Sequence, residues 1–149
     1  MEINIKKINK NARIPTRGSN HAAGYDLYAC VVNDIDIPAH STVKIGTGVG
    51  VSIPDGYFGA VFARSGIASR QGLRPSNCVG VIDSDYRGEI IVAMHNDSDI
   101  RRTVNPEERI AQLVIIPYTS AEFKEVDNLD DTERGEDGFG STGYGSIIE

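Results

Sequence analysis

From residue 41 to 53 the apolar side chains Val43, Ile45, Val49, Val51 and Ile53 fall on one parity, with Thr47 in the remaining place. That is the period of a half-buried β-strand, so one strand is predicted across the segment. Shorter apolar runs recur at 59–63, 89–94 and 110–116, separated by the turn-forming clusters Pro54-Asp55-Gly56, His95-Asn96-Asp97-Ser98 and Asn105-Pro106. Short strands punctuated in this way predict an all-β sandwich or barrel. No stretch keeps helical periodicity over three turns between a cap and a stop, and only residues 67–70 read as a short helix. Past Leu129 the chain turns charged and glycine-rich, DDTERGEDGFGSTGYGSIIE, with few apolar side chains to bury. Composition alone makes this tail a disordered terminus.

With 149 residues the chain fits a single domain with one core. The expected division is a β domain over residues 1–129 and a tail over 130–149. No apolar run approaches the length of a bilayer span, and MEINIKKINKNARIP has no apolar stretch after its basic residues to act as a secretory signal. An intracellular, cytoplasmic protein without a membrane partner is expected. Cys30 and Cys78 form neither a C-x-x-C pair nor a cysteine–histidine cluster, and read as reduced, small apolar residues. His21, His40 and His95 are scattered and receive no catalytic role. A net charge of −6 argues against a nucleic-acid duplex as partner. It leaves room for a small polyanion, which a few arginines, backbone N–H groups and a divalent cation can hold locally.

Five segments combine glycines with charged or hydroxyl residues at turns, where loops on a rigid sheet often build sites. Each has a plain structural alternative when taken alone. Gly24-Tyr25-Asp26, Gly80 and Gly88 read equally as turns, Arg64-Ser65-Gly66 as a turn with a solvated arginine, and GFGSTG as a flexible linker without the lysine of a Walker loop. In order, the segments are AAGYDLYA (22–29), ARSGIASRQG (63–72), NCVGVIDSDYRGEI (77–90), ERIAQLVI (108–115) and RGEDGFGSTG (134–143). Together they resemble the five motifs of the trimeric dUTPase (dUTP diphosphatase) family along nearly the whole chain. Two positions depart from the family pattern: Ala63 stands in place of a usual proline, and Asp137 in place of a common glycine.

The resemblance implies a distorted jelly-roll of short strands, a homotrimer, and Mg²⁺-dependent hydrolysis of dUTP to dUMP and pyrophosphate. That reaction keeps dUTP out of DNA and supplies dUMP for dTMP synthesis. Asp83 is then the catalytic group, orienting a water and accepting its proton as it attacks the α-phosphorus. As an isolated feature it is equally an aspartate capping the turn Asp83-Ser84-Asp85-Tyr86. Mg²⁺ sits on the phosphates with water in its other positions, held by Asp26 through water, and Gln112 shares this region. A glutamine in IAQLVI also reads as an outward-facing strand residue. Arg64, Ser65 and Gly66 grip the triphosphate, and Arg134, Gly140, Ser141 and Thr142 do so from the tail as it closes over a neighbouring subunit's nucleotide. Phe139 stacks on uracil. The hairpin through Asn77, Gly80, Val81 and Ile82 reads the base edge and excludes a methyl group, while Tyr86 packs on deoxyribose where a 2′-hydroxyl would clash.

Three rival readings stand beside this one. A dCTP deaminase-like enzyme would share fold and assembly, but DSDYRGE favours the hydrolase. A non-catalytic dUTP-binding regulatory module is disfavoured by the intact Asp83 and fifth motif. A purely structural jelly-roll subunit leaves the phosphate-suited loops unexplained.

Overall fold

The computed structural model describes residues 1–136 and 138. The described residues form twelve short strands and one helix: β1 (Asn4–Lys7), β2 (Thr16–Arg17), β3 (Tyr25–Tyr28), β4 (Ile35–Ile37), β5 (Thr42–Gly46), β6 (Val49–Ser52), β7 (Tyr57–Phe62), α1 (Ser65–Gln71), β8 (Leu73–Pro75), β9 (Val79–Ile82), β10 (Ile91–Asn96), β11 (Arg102–Val104) and β12 (Arg109–Pro117). Every pairing is antiparallel. The largest sheet runs β2-β3-β12-β7-β9, a second runs β5-β10-β8, and the pairs β1-β6 and β11-β4 complete the jelly-roll. Among the described residues no helix is long and apolar enough to cross a membrane.

The apolar runs expected from the sequence fall mainly within β7, β10 and β12, and the short helix begins two residues before its apolar signal and ends one after it. Gly72 ends it in the left-handed conformation (φ 69°), its N–H bonded back to Ala68 and Ile67. One expectation needs correcting: residues 41–53 are two strands in different sheets, not one. Gly48 adopts φ 69°, which breaks the strand, and a Cβ there would lie 2.7 Å from the Ala12 Cβ and 2.8 Å from the Cys30 Sγ. Parity survives the break because Thr47 stays buried and spends its hydroxyl on the Ile90 carbonyl at 2.7 Å. The core between the sheets collects Leu27, Ile37, Ile45, Leu73, Ile90, Met94 and Ile110, each fully buried.

Candidate active site

The five-stranded sheet sets four motif segments side by side. Asp26 on β3 is in register with Gln112 on β12, Gln112 with Phe62 on β7, and Phe62 with Val79 on β9. Arg64 lies two residues beyond Phe62, so Asp26, Gln112 and Arg64 meet at one corner. Burying a carboxylate requires partners that keep it charged. Asp26 has two: its Oδ1 accepts from Arg64 Nε at 2.7 Å and its Oδ2 from Arg109 Nη1 at 3.2 Å. Two guanidiniums against one carboxylate leave a positive excess, and the Arg109 side chain is half exposed. Sequence reasoning took only Gln112 from ERIAQLVI and missed Arg109. The irregularity in the β12–β3 register between Arg109 and Ala111 sits at this position, and bulges of this kind re-aim a side chain.

Gln112 is half-buried and does not simply face outward. Its Nε2 donates to the Ala63 carbonyl at 2.8 Å, fastening the turn that carries Arg64, and a Cβ on Gly24 would overlap its carboxamide oxygen. Ser65 and Gly66 are exposed in the first turn of α1. The first helical bond runs from Ala68 N to the Arg64 carbonyl at 3.0 Å, so the N–H groups of Ser65 and Gly66 have no partner inside the helix.

The other predicted residues gather along β9, the outer strand of the sheet, whose far edge carries no partner strand among the described residues. Val81, Ile82, Asp83, Tyr86, Glu89 and Ile91 line a cavity of about 170 Å³. That is below the roughly 300 Å³ at which sites for whole drug-sized ligands begin, so it suits one ring of a nucleoside. A Cβ on Gly80 would lie 3.2 Å from the Val61 Cβ, so the missing side chain lets β9 lie close on β7, with Asn77 Nδ2 in ordinary contact at 3.7 Å. Cys78, between them, takes φ 62°, an uncommon conformation at the entry to the strand. Asp83 is exposed, and its carboxylate makes no hydrogen bond or ion pair with the described residues. It is therefore not a turn cap: the turn is closed by the Asp83 backbone carbonyl, which accepts from Tyr86 N at 3.2 Å. Tyr86 donates its hydroxyl to the Glu89 carbonyl at 2.9 Å.

Within one chain these two groups stand apart. Asp83 lies four residues past Val79, roughly 13 Å at a rise of about 3.3 Å per residue, and β9 is three strands from β3, a further ~14 Å. Arg134 is exposed beyond β12, away from both groups in sequence. Phe139, Gly140, Ser141, Thr142 and the departure Asp137 lie outside the described residues.

No three of His, Cys, Asp and Glu gather as a metal-binding cluster among the described residues, and both Asp26 oxygens already accept from arginines. These donors do not form an inner-shell cage for a bare ion. They fit a cation that arrives with its phosphates and waters, since each carboxylate oxygen keeps a lone pair for a water.

Residues 10–143 match the dUTPase family. The deoxyuridine 5′-triphosphate nucleotidohydrolase of Syntrophotalea carbinolica is 44% identical over 144 residues, covering 95% of this chain and 97% of that protein. Its counterpart from Nautilia profundicola is 46% identical over 143 residues, covering 96% and 99%. Among solved structures, the dUTPase of Staphylococcus bacteriophage 80alpha with dUPNHPP superposes with a TM-score of 0.83 at 32% identity, over 96% of this chain and 99% of that one. A mutant dUTPase from phage phi11 of S. aureus, whose structure concerns the coordination of a structural Mg(II) ion, superposes with a TM-score of 0.78 at 26% identity, over 88% and 100%.

Proposed function

The chain belongs to the dUTPase family, and from that membership we propose how its own residues hydrolyse dUTP to dUMP and pyrophosphate. The observation that carries the assignment of roles is the unpartnered Asp83 carboxylate at a ring-sized cavity it shares with Tyr86. Asn77, Gly80, Val81 and Ile82 present the edge of β9 to the base, where an unpaired backbone donor or acceptor penalises the wrong base strongly. Tyr86, pinned through its hydroxyl, sets the sugar against the turn. Asp83 then orients a water toward the α-phosphorus and takes its proton. Arg64, Arg109 and the first-turn N–H groups of Ser65 and Gly66 take the phosphate oxygens, and Asp26 and Gln112 hold these groups in place. When bound with the nucleotide, Mg²⁺ neutralises the triphosphate and the departing pyrophosphate. Asp26 would hold it through water, a role that the fit of the donors supports.

The separation between the two groups supports the homotrimer. Two offsets of roughly 13 and 14 Å place Asp83 on the order of 20 Å from Asp26, too far for one nucleotide to engage both with its α-phosphorus at Asp83. A second copy supplying the phosphate corner completes the site, and a closed ring of three makes three equal sites. Surface for this exists: an apolar cavity of about 480 Å³ lined by Met1, Ile3, Ile5, Tyr25 and Ile115. Phe123, Val126 and Leu129 also lie exposed on the segment after β12. The fifth motif reaches a neighbouring site with Arg134, Phe139, Gly140, Ser141 and Thr142.

Incubating purified protein with Mg²⁺ and each dNTP, while following pyrophosphate, ammonia and dUMP, tests the reading. Release of pyrophosphate and dUMP from dUTP alone is expected, and ammonia from dCTP would contradict it. Light scattering is expected to give three chains per particle. Truncation before residue 134 is expected to lower kcat by at least ~10-fold while leaving the far-ultraviolet circular dichroism unchanged.

A further inference from the structure

Glu89 follows the turn that carries Asp83 and Tyr86, and its side chain points back into the body of the protein. Its Oε1 accepts from the Gly48 backbone N–H at 2.7 Å. Gly48 is the residue whose φ of 69° breaks the chain between β5 and β6. A Cβ on Gly46 would overlap the same carboxylate oxygen, so that glycine makes room for it. Around this contact the backbones interlock: Ile90 N donates to the Val49 carbonyl at 2.9 Å, and Thr47 N and Oγ1 both donate to the Ile90 carbonyl, at 3.1 and 2.7 Å. Beneath the turn, a Cβ on Gly50 would lie 2.9 Å from the Gly88 carbonyl oxygen and 3.3 Å from that of Arg87. The turn thus rests on a glycine-lined break at 46–50.

Inside the turn the restraints are local. Arg87 Nη1 donates to the Ser84 and Tyr86 carbonyls at 2.6 and 3.0 Å, and Tyr86 donates to the Glu89 carbonyl. These bonds give the turn its shape but do not fix where it stands. Glu89 is the side chain in the turn that both lines the cavity with Asp83 and bonds to the opposite strand break. Burial, and then the Glu89 carboxylate, push the Cys30 thiol above its ordinary value, which places the charge within reach of the break.

We propose that Glu89 is a positioning residue for the hydrolysis, fastening the Asp83–Tyr86 turn to the Gly48 amide and so setting the distance from the Asp83 carboxylate to the bound nucleotide. The proposal rests on the role assigned to Asp83 above. What matters is reach and an acceptor oxygen, not charge. Glu89→Gln keeps both, since its amide oxygen can accept from Gly48 at the same length. Glu89→Asp keeps the charge but falls one methylene short.

Steady-state kinetics of dUTP hydrolysis on the full chain, with thermal melting alongside, separates the outcomes. Glu89→Gln is expected to retain kcat within about 3-fold, and Glu89→Asp to lose about 10- to 100-fold in kcat, the scale of one lost hydrogen bond to a buried donor. Glu89→Asp is expected to melt a few degrees below Glu89→Gln, because the Gly48 N–H loses its acceptor, so kcat is compared at a temperature where both variants are fully folded and the kinetic gap is not a stability gap. The reverse order, or equal kcat in both variants, would overturn the proposal, as would a loss confined to melting temperature. Asp83→Asn is run in parallel: if that variant turns over at the wild-type rate, the role of Asp83 fails, whatever the order of the Glu89 variants.

Discussion

Asn96 and Asp83 each stand where a strand meets a turn, and the protein treats them in opposite ways. Asn96, at the end of β10, is fully buried, with Nδ2 within 2.8–3.2 Å of the carbonyls of Ile37, Pro38 and Ile100, and Oδ1 accepting from the Ser98 N–H and hydroxyl. Asp83, beyond β9, is exposed at a cavity, with its carboxylate unused by the described residues. A polar side chain with all its bonding capacity spent on neighbouring loops is part of the architecture. One held on a rigid turn with its capacity open is available to a substrate. The same residue types in a turn therefore mean different things, and the partners decide which.

The contrast can be broken at several points. The largest effect is expected from Asp83→Asn: kcat falls by about 10²- to 10⁴-fold, the usual contribution of a general base, while binding of a non-hydrolysable dUTP analogue and the melting temperature stay near wild type. Asn96→Ala is the mirror case. It strands several buried carbonyls and is expected to cost about 2–4 kcal/mol in urea unfolding, with kcat per folded molecule unchanged. Arg109→Gln falls between them, expected to raise KM for dUTP about 10-fold with a smaller change in kcat, because it weakens the phosphate corner and leaves Asp26 with one guanidinium. The smallest effect concerns Asp97. The Arg74 guanidinium beside it, assisted by His95 and His40, holds its carboxyl below the ordinary range. A lowered folded value means that this pair stabilises the fold above the ordinary carboxylate range and stops doing so as pH falls through the lowered value. The stability gap between wild type and Asp97→Asn, followed by thermal melting, is expected to hold from neutral pH downward and to close only in acid. Both side chains are open to solvent, so the gap is small.

Much of this was legible in the residues. The runs at 59–63, 89–94 and 110–116 fall mainly within β7, β10 and β12, where Val61, Val92, Met94, Ile110 and Leu113 reach one core, and 67–70 fell inside α1. β1 and β2 were not legible, since all their residues are exposed and no burial pattern marks them. The break at Thr47–Gly48 was hidden for the opposite reason: a buried threonine occupies the place a core residue would take, so the alternation runs through it unbroken. In the site, the order of the five motifs, and not residue type alone, pointed to Asp83, Arg64 and Asp26. Arg109 and Glu89 stayed hidden because their roles depend on which group they reach across the fold, the Asp26 carboxylate 83 residues away for Arg109 and the Gly48 N–H 41 residues away for Glu89. The division of the site into two groups was equally invisible, because the order of motifs along a chain says nothing about which end of a sheet each one occupies.

The account stands on a water, aimed by Asp83, attacking the innermost phosphorus. Hydrolysing dUTP in ¹⁸O-enriched water and weighing both products tests this without any substitution. The label is expected in the phosphate of dUMP, with unlabelled pyrophosphate. Label in the pyrophosphate would mean attack on the β-phosphorus, and the Asp83 carboxylate would be serving some other purpose.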